Sequence, residues 1–257
     1  MRDADEIRQQ AQAALERDPR VNPHRSPIDV SIEGPCATLT GEVAGIDGKR
    51  RAVECVRAIP GVERIVDRVR VAPGESLGDS AIRDKLCGYL LDEPVYKRMA
   101  VSCRAEGGGE TLSRRPDEAE GRIEIAVADG VVTLRGEVFS LSHRRLAAVL
   151  AWWVPGVRDV INEIAIDPPE EDNDDEISDA IELVLDKDPI IHAGQIARHV
   201  RDGRVVLRGL VTTEEEKRMA EEDVWYVEGV RDVVNELYVQ PMPAGREPMR
   251  SGPAPIA

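Results

Sequence analysis

Aromatic side chains are scarce in this chain: one Phe, three Trp and four Tyr among 257 residues. A single large core would have to be aliphatic, and several small aliphatic cores suit that composition better. Apolar runs are short as well, and none approaches the roughly 18 residues of a membrane-spanning helix. The opening Met1-Arg2-Asp3-Ala4-Asp5-Glu6 is acidic and polar, whereas a secretory signal needs a basic start and an apolar stretch. A cytoplasmic protein is therefore expected. Basic residues are outnumbered, 34 Lys and Arg against 49 Asp and Glu, which leaves a net charge of −15.

What is abundant is repetition. A strand-like segment ending in Gly occurs three times: Thr38-Leu39-Thr40-Gly41-Glu42-Val43, Thr133-Leu134-Arg135-Gly136-Glu137-Val138 and Val206-Leu207-Arg208-Gly209-Leu210-Val211. Each is followed, 20 residues after its Gly, by a second signature. These open at Gly61, Gly156 and Gly229 and read Gly-Val-x-x, then Ile or Val twice, then Asp67, Asn162 or Asn235. Upstream of each copy lies an amphipathic helix with apolar residues at i, i+4, i+7 and i+8. The three sets are Ile7, Ala11, Ala14, Leu15; Ile82, Leu86, Tyr89, Leu90; and Ile177, Ile181, Val184, Leu185. An acid–Pro step follows each one: Asp18-Pro19, Glu93-Pro94 and Asp188-Pro189. Proline cannot continue the helical hydrogen bonding and disfavours the helical conformation before it, so each helix should stop there.

Between the two glycine signatures a second helix presents Ala52, Val56, Ile59, or Ala147, Ala151, Val154, or Ala220, Val224, Val227. An alternating run such as Ile65, Asp67, Val69, Val71 then reads as a last strand. The fold class is therefore α+β: three tandem αββαβ units, each with two helices on one face of a three-stranded sheet. The boundaries are 1–73, 76–168 and 174–240, with a Pro-rich disordered tail over 241–257. Both junctions, Gly61 to Ile82 and Gly156 to Ile177, are 21 residues long, which argues for fixed packing between units. The middle unit carries an insertion at about 102–122, expected as a long hairpin or a mobile loop.

These signatures resemble the BON domain (bacterial OsmY and nodulation), over almost the whole chain. The resemblance implies two helices against a three-stranded mixed sheet and a non-catalytic role. Members are typically linked to envelope integrity, osmotic stress, phospholipid contact or protein assembly. Most are exported, whereas the start of this chain offers no signal.

The residues themselves carry little chemistry. Cys36, Cys55, Cys87 and Cys103 form no C-x-x-C and occupy unrelated repeat positions, so free thiols are expected and zinc is not. The four histidines are scattered; Ser142-His143 adjoin without a nucleophile motif around them. Gly107-Gly108-Gly109 lacks the Lys-Ser/Thr of a phosphate loop and reads as a linker. Gly41, Gly136 and Gly209 are expected to permit a bulge or a close backbone approach. The acidic run 170–176 fails the spacing of a calcium loop, and its position before a helix suits the macrodipole. No catalytic residue, metal site or cofactor is expected.

Two clusters remain as interaction candidates. Trp152 and Trp225 lie about 150° from the apolar face of their helices. Such rings need cover from a neighbouring unit or loop, an oligomer contact or a lipid interface. Trp153 and Tyr226 lie on the flank and close the core edge. Lys49, Arg50 and Arg51 are a weak candidate for lipid or another anion. By unit, 12 basic residues meet 12 acidic ones over 1–73, 12 meet 16 over 74–168, and 10 meet 21 over 169–257. That balance repels nucleic acid and would suit head-to-tail association of chains. The sequence thus points to a non-enzymatic scaffold that self-associates or binds a protein partner. A peripheral phospholipid binder and a small-ligand or ion sensor are the alternatives.

Overall fold

In the computed structural model, residues 4–21, 27–74, 77–104 and 110–240 are described. The first unit runs α1 (Ala4–Arg17), β1 (Ile28–Glu33), β2 (Cys36–Val43), α2 (Ile46–Arg57) and β3 (Arg64–Val71). Strand β2 is central, antiparallel to β1 and parallel to β3. The parallel pair needs a crossover, and α2 supplies it. The third unit repeats the plan with α5 (Asp174–Lys187), β9 (Ile196–Arg201), β10 (Arg204–Val211), α6 (Glu214–Tyr226) and β11 (Asp232–Val239).

The middle unit is larger. It contains α3 (Asp79–Asp92), β4 (Met99–Arg104), β5 (Glu110–Arg114), β6 (Gly121–Ala128), β7 (Val131–Val138), α4 (Leu141–Trp152) and β8 (Asp159–Ile166). Its sheet has five strands in the order β5-β4-β6-β7-β8. The additional length forms the antiparallel pair β4–β5, laid parallel along β6. The run Gly107-Gly108-Gly109 and the tail 241–257 lie outside the described residues.

The expectation of four free thiols is corrected here. Cys87 on α3 and Cys103 on β4 form a disulfide, with Cα atoms 6.4 Å apart, while Cys36 and Cys55 are free. Cys103 belongs to the inserted hairpin, so the repeat comparison assigns it no counterpart. The bond fastens that hairpin to the helix beneath it.

Local rules account for the element ends. Helices α1, α3 and α5 stop at Arg17, Asp92 and Lys187, one residue before the acid–Pro steps. Each acid then accepts the amide two residues on: Arg20 N to Asp18 at 3.0 Å, Val95 N to Glu93 at 3.4 Å, Ile190 N to Asp188 at 2.8 Å. At Gly41, Gly136 and Gly209, φ is +145°, +133° and +143°, and an added Cβ would overlap the carbonyl oxygen of Pro27, Arg122 or Gln195. These glycines let the start of one strand press against its neighbour.

The Asp or Asn that ends the second signature has a structural task. Asn162 and Asn235 point towards the helix layer and donate to the carbonyls of Arg144 and Lys217, at 3.0 and 2.9 Å. Their side-chain oxygens accept the amides of Ile164 and Leu237. Asp67 accepts the amide of Val69 at 2.9 Å and, having no N–H, holds Lys49 Nζ at 2.7 Å instead. In every unit this side chain ties the second helix to the last strand.

Apolar burial is continuous between the second and third units. Leu146, Val149 and Trp152 of α4 share one core with Ile177, Ile181 and Trp225 of the third unit. The first unit keeps a separate core of Ala11, Leu15, Ile28, Leu39, Ala52, Val56 and Val69.

Candidate functional surfaces

The first unit is joined to the others chiefly by charge. Lys49, only 5% exposed, lies between Asp67 at 2.7 Å and Asp159 of the second unit at 3.2 Å. Arg70 pairs with the same Asp159, and Arg158 reaches Glu42 at 2.8 Å. Val71 N also donates to the Arg158 carbonyl at 2.8 Å. Towards the third unit, Arg51 bonds Asp18 at 2.9 Å and lies 3.9 Å from Asp232. Arg20 reaches Asp232 at 3.1 Å and places its guanidinium 5.4 Å from the centre of the Trp225 ring. Asp159 and Asp232 occupy the same position in their repeats, where the first unit has Arg64. Two copies of one acidic position thus converge on the basic start of α2.

The candidates Lys49 and Arg51 are therefore engaged inside the chain and do not form a free cationic patch. Arg50 lines a cleft of about 770 Å³ between the first and third units. Burial pulls its pKa down, while Glu228, Asp67, Asp159 and Glu54 push it up. The other cleft walls mix Arg57 and Arg231 with Glu54, Asp67, Asp172 and Glu228. Arg20 and Arg51 of the neutral first unit also meet Asp232 of the acidic third unit within one chain.

The second seam, between units two and three, combines rings with carboxyls. Trp152 is 9% exposed and stacks on Tyr226 at 5.7 Å between ring centres. Trp225 is 1% exposed, with its indole nitrogen buried and unpaired. Cover for these rings thus comes from neighbouring units. A helical wheel places them correctly on the helix but cannot include α6 or α2 of another repeat. Trp153 donates from Nε1 to Asp223 at 2.7 Å, and the Tyr226 hydroxyl donates to Glu222 at 2.8 Å. Arg145, 1% exposed, donates to the Glu228 carbonyl at 2.9 Å and to Asp172 at 2.5 Å, while Arg144 pairs with Glu228 at 2.9 Å.

Two carboxyls on α6 have opposite environments. Glu216 is 1% exposed and receives the amides of Thr212 and His192, the Thr212 hydroxyl and His192 Nδ1. Burial alone would raise its pKa, but those donors outweigh it and bring the value down to about 2. Asp223 is 4% exposed, and its second oxygen takes no donor from the protein. Burial first, then Asp188 and Glu222, pushes its pKa up to about 8 against the pull of the Trp153 N–H.

The remaining sequence candidates are structural. Ser140, not Ser142, meets His143: its Oγ lies 2.5 Å from Nδ1 and caps α4 by accepting the His143 amide. In the acidic run, Asn173 caps α5, Asp174 accepts the amides of Asp202 and Gly203, and Glu170 accepts that of Leu141. Among the described residues no group of His, Cys, Asp and Glu is placed to hold a metal ion, and no helix is long and apolar enough to cross a membrane.

The outward faces of the sheets differ. Cross-strand pairs on the first are Thr38–Val66, Thr40–Arg68 and Glu42–Arg70. Those on the third are Val206–Val234, Arg208–Glu236 and Leu210–Tyr238. Tyr238 is 67% exposed and Leu210 45%. The alternation of these strands is legible in the sequence, but the pairing that sets Leu210 beside Tyr238 appears only in the fold.

Comparison with known proteins agrees with the repeat. The BON domain family matches residues 3–73, 109–168 and 173–241. The middle match omits α3 and β4, so the insertion separates the second unit's first helix from its matched part. No curated protein matches the chain. Among solved structures, CdsD, a structural protein of the type III secretion system of Chlamydia trachomatis, is similar at 14% identity and a TM-score of 0.24, over 92% of this chain and 93% of that one. Its C-terminal domain gives 15% identity and the same TM-score, over 94% and 100%.

Proposed function

The chain belongs to the BON domain family, and from that premise we propose a non-enzymatic scaffold that self-associates through the outer face of its third sheet. The observation that carries this reading is the exposed pair Leu210 and Tyr238 on that face, with Val206 and Val234 beyond the Arg208–Glu236 ion pair. Exposed apolar clusters of this kind favour protein contact. The three Trp and Tyr226 are spent on joining the units. A three-unit body that offers an exposed apolar pair on a sheet face suits assembly better than catalysis. The setting of stress or envelope adaptation, in which the family is known, belongs to the same reading.

Light scattering over a concentration series provides the test. The wild-type chain is expected to exceed its monomer mass of 28.3 kDa, and the double variant Leu210→Ser, Tyr238→Ser to return to it. A wild-type chain that stays monomeric at about 100 μM rejects self-association. Residence is a second part of the proposal. Cytoplasmic reductants oppose the Cys87–Cys103 bond, whereas an oxidising compartment maintains it. Counting free thiols on protein taken from cells decides: four favours the cytoplasm, two favours an exported protein.

A further inference from the structure

The acid of the acid–Pro step meets a cation in two of the three units. Asp18 holds Arg51 at 2.9 Å, and Glu93 holds Lys187 at 2.7 Å. In the third unit the position of Arg51 is Met219 and that of Cys55 is Asp223. Asp188 therefore shares a cleft wall with a second carboxyl, that of Asp223, whose second oxygen is buried and takes no donor. Both are more than nine-tenths buried. Like charges placed together disfavour double ionisation, and Asp188 adds to burial in raising the pKa of Asp223.

Above this pair lies a cleft of about 400 Å³, lined by Trp152, Trp153, Pro155, Pro189, Ile190 and Met219 beside the acids Asp188, Asp223 and Glu222. That size suits a small organic ligand. Its two rim groups are already matched to Glu222: Arg218 at 2.8 Å and the Tyr226 hydroxyl at 2.8 Å. Asp188 already accepts the Ile190 amide and Asp223 the Trp153 N–H, but among the described residues neither acid meets a cation, and indole faces attract cations.

We propose that this cleft binds a small primary amine, with its ammonium on the Asp188–Asp223 pair and its apolar stem against Trp152, Pro189, Ile190 and Met219. A quaternary ammonium fits less well, having no N–H to give the carboxyls. The binding step is an exchange without covalent change. The ammonium enters, the proton held on Asp223 leaves to solvent, and the two carboxylates then stand opposite one positive charge. The site is independent of the third sheet's outer face, so it stands or falls separately from self-association.

Calorimetry on the full chain with phenethylamine tests it, using phenethyl alcohol as the neutral control. The amine keeps its charge below about pH 9. Saturable binding is expected, tightening about tenfold per pH unit from pH 6 to 8 as one proton is displaced. Repetition in two buffers of different ionisation heat should register that proton. Asp188→Asn removes the anion without adding bulk and is expected to weaken amine binding at least about tenfold. Asp223→Asn should abolish the pH slope and the proton release. Equal binding of the alcohol, unchanged amine affinity in a folded Asp188→Asn variant, or no saturation by about 10 mM amine would each overturn the assignment.

Discussion

The two seams of this molecule use opposite materials. The first unit has its own core and meets its neighbours mainly through Lys49, Arg51, Arg20 and their acids, with Ile46 of α2 reaching into the larger apolar core beside Trp225. The second and third units share one apolar core, to which Arg145, Trp153 and Asp223 add buried polar contacts. One αββαβ scaffold therefore supports two kinds of joint. Salt bridges attach the first unit with specific geometry, whereas shared burial makes the other two a single hydrophobic body. Disruption should act accordingly: side-chain volume matters most at Trp225, charge at Lys49, and protonation along α6.

Trp225→Ala should have the largest effect. It empties a fully buried site where α6 meets the first unit, and a loss of about 4 kcal/mol is expected in chemical denaturation. Lys49→Ala comes next, at about 3 kcal/mol, because it leaves the buried Asp159 with only part of its compensation and the half-buried Asp67 without its cation. If both variants lose the first unit as a separate early transition, the two-joint description is sharpened; if either unfolds in one unchanged transition, it is broken.

Protonation separates the acids of α6. Asp223 has a folded pKa near 8, above its unfolded value, so the folded chain binds more protons and stability falls as pH rises towards 8. Asp223→Asn retains an acceptor for Trp153 and is expected to gain about 2.5 kcal/mol at pH 8, with no gain near pH 4. Glu216 has the reverse sign. Its folded pKa of about 2 supplies stability that is present above its unfolded value and lost as pH falls towards 2. Glu216→Gln should therefore cost about 2 kcal/mol at pH 7, shrinking towards zero by pH 2, as followed by thermal melts across pH.

Much of the fold was legible because its signals are local. Proline after an acid ends a helix, glycine permits a strand to press close, and an i, i+4, i+7 stripe marks a buried face. The seams were not legible for the opposite reason. Arg20 and Asp232 are 212 positions apart, and a wheel drawn for α2 shows Lys49 as solvated because its partner Asp159 belongs to another repeat. The disulfide escaped because Cys103 lies in the one segment the repeats do not share. Asp223 gave no warning either: its meaning arises only when α6 places it beside Asp188 and the position of Arg51 is found to hold a methionine.

Closure between the first and last units also constrains synthesis. Asp232 emerges after nearly all the other described residues, so Arg20 and Arg51 stay without this partner while most of the chain is being made. The first unit's own core can form early, since its contacts are short in sequence, but its attachment to the third must wait for the longest loop in the molecule to close. A ribosome-bound chain stalled before Asp232 should thus carry a tethered, protease-accessible first unit, and release of the last strand is what turns three beads into one body.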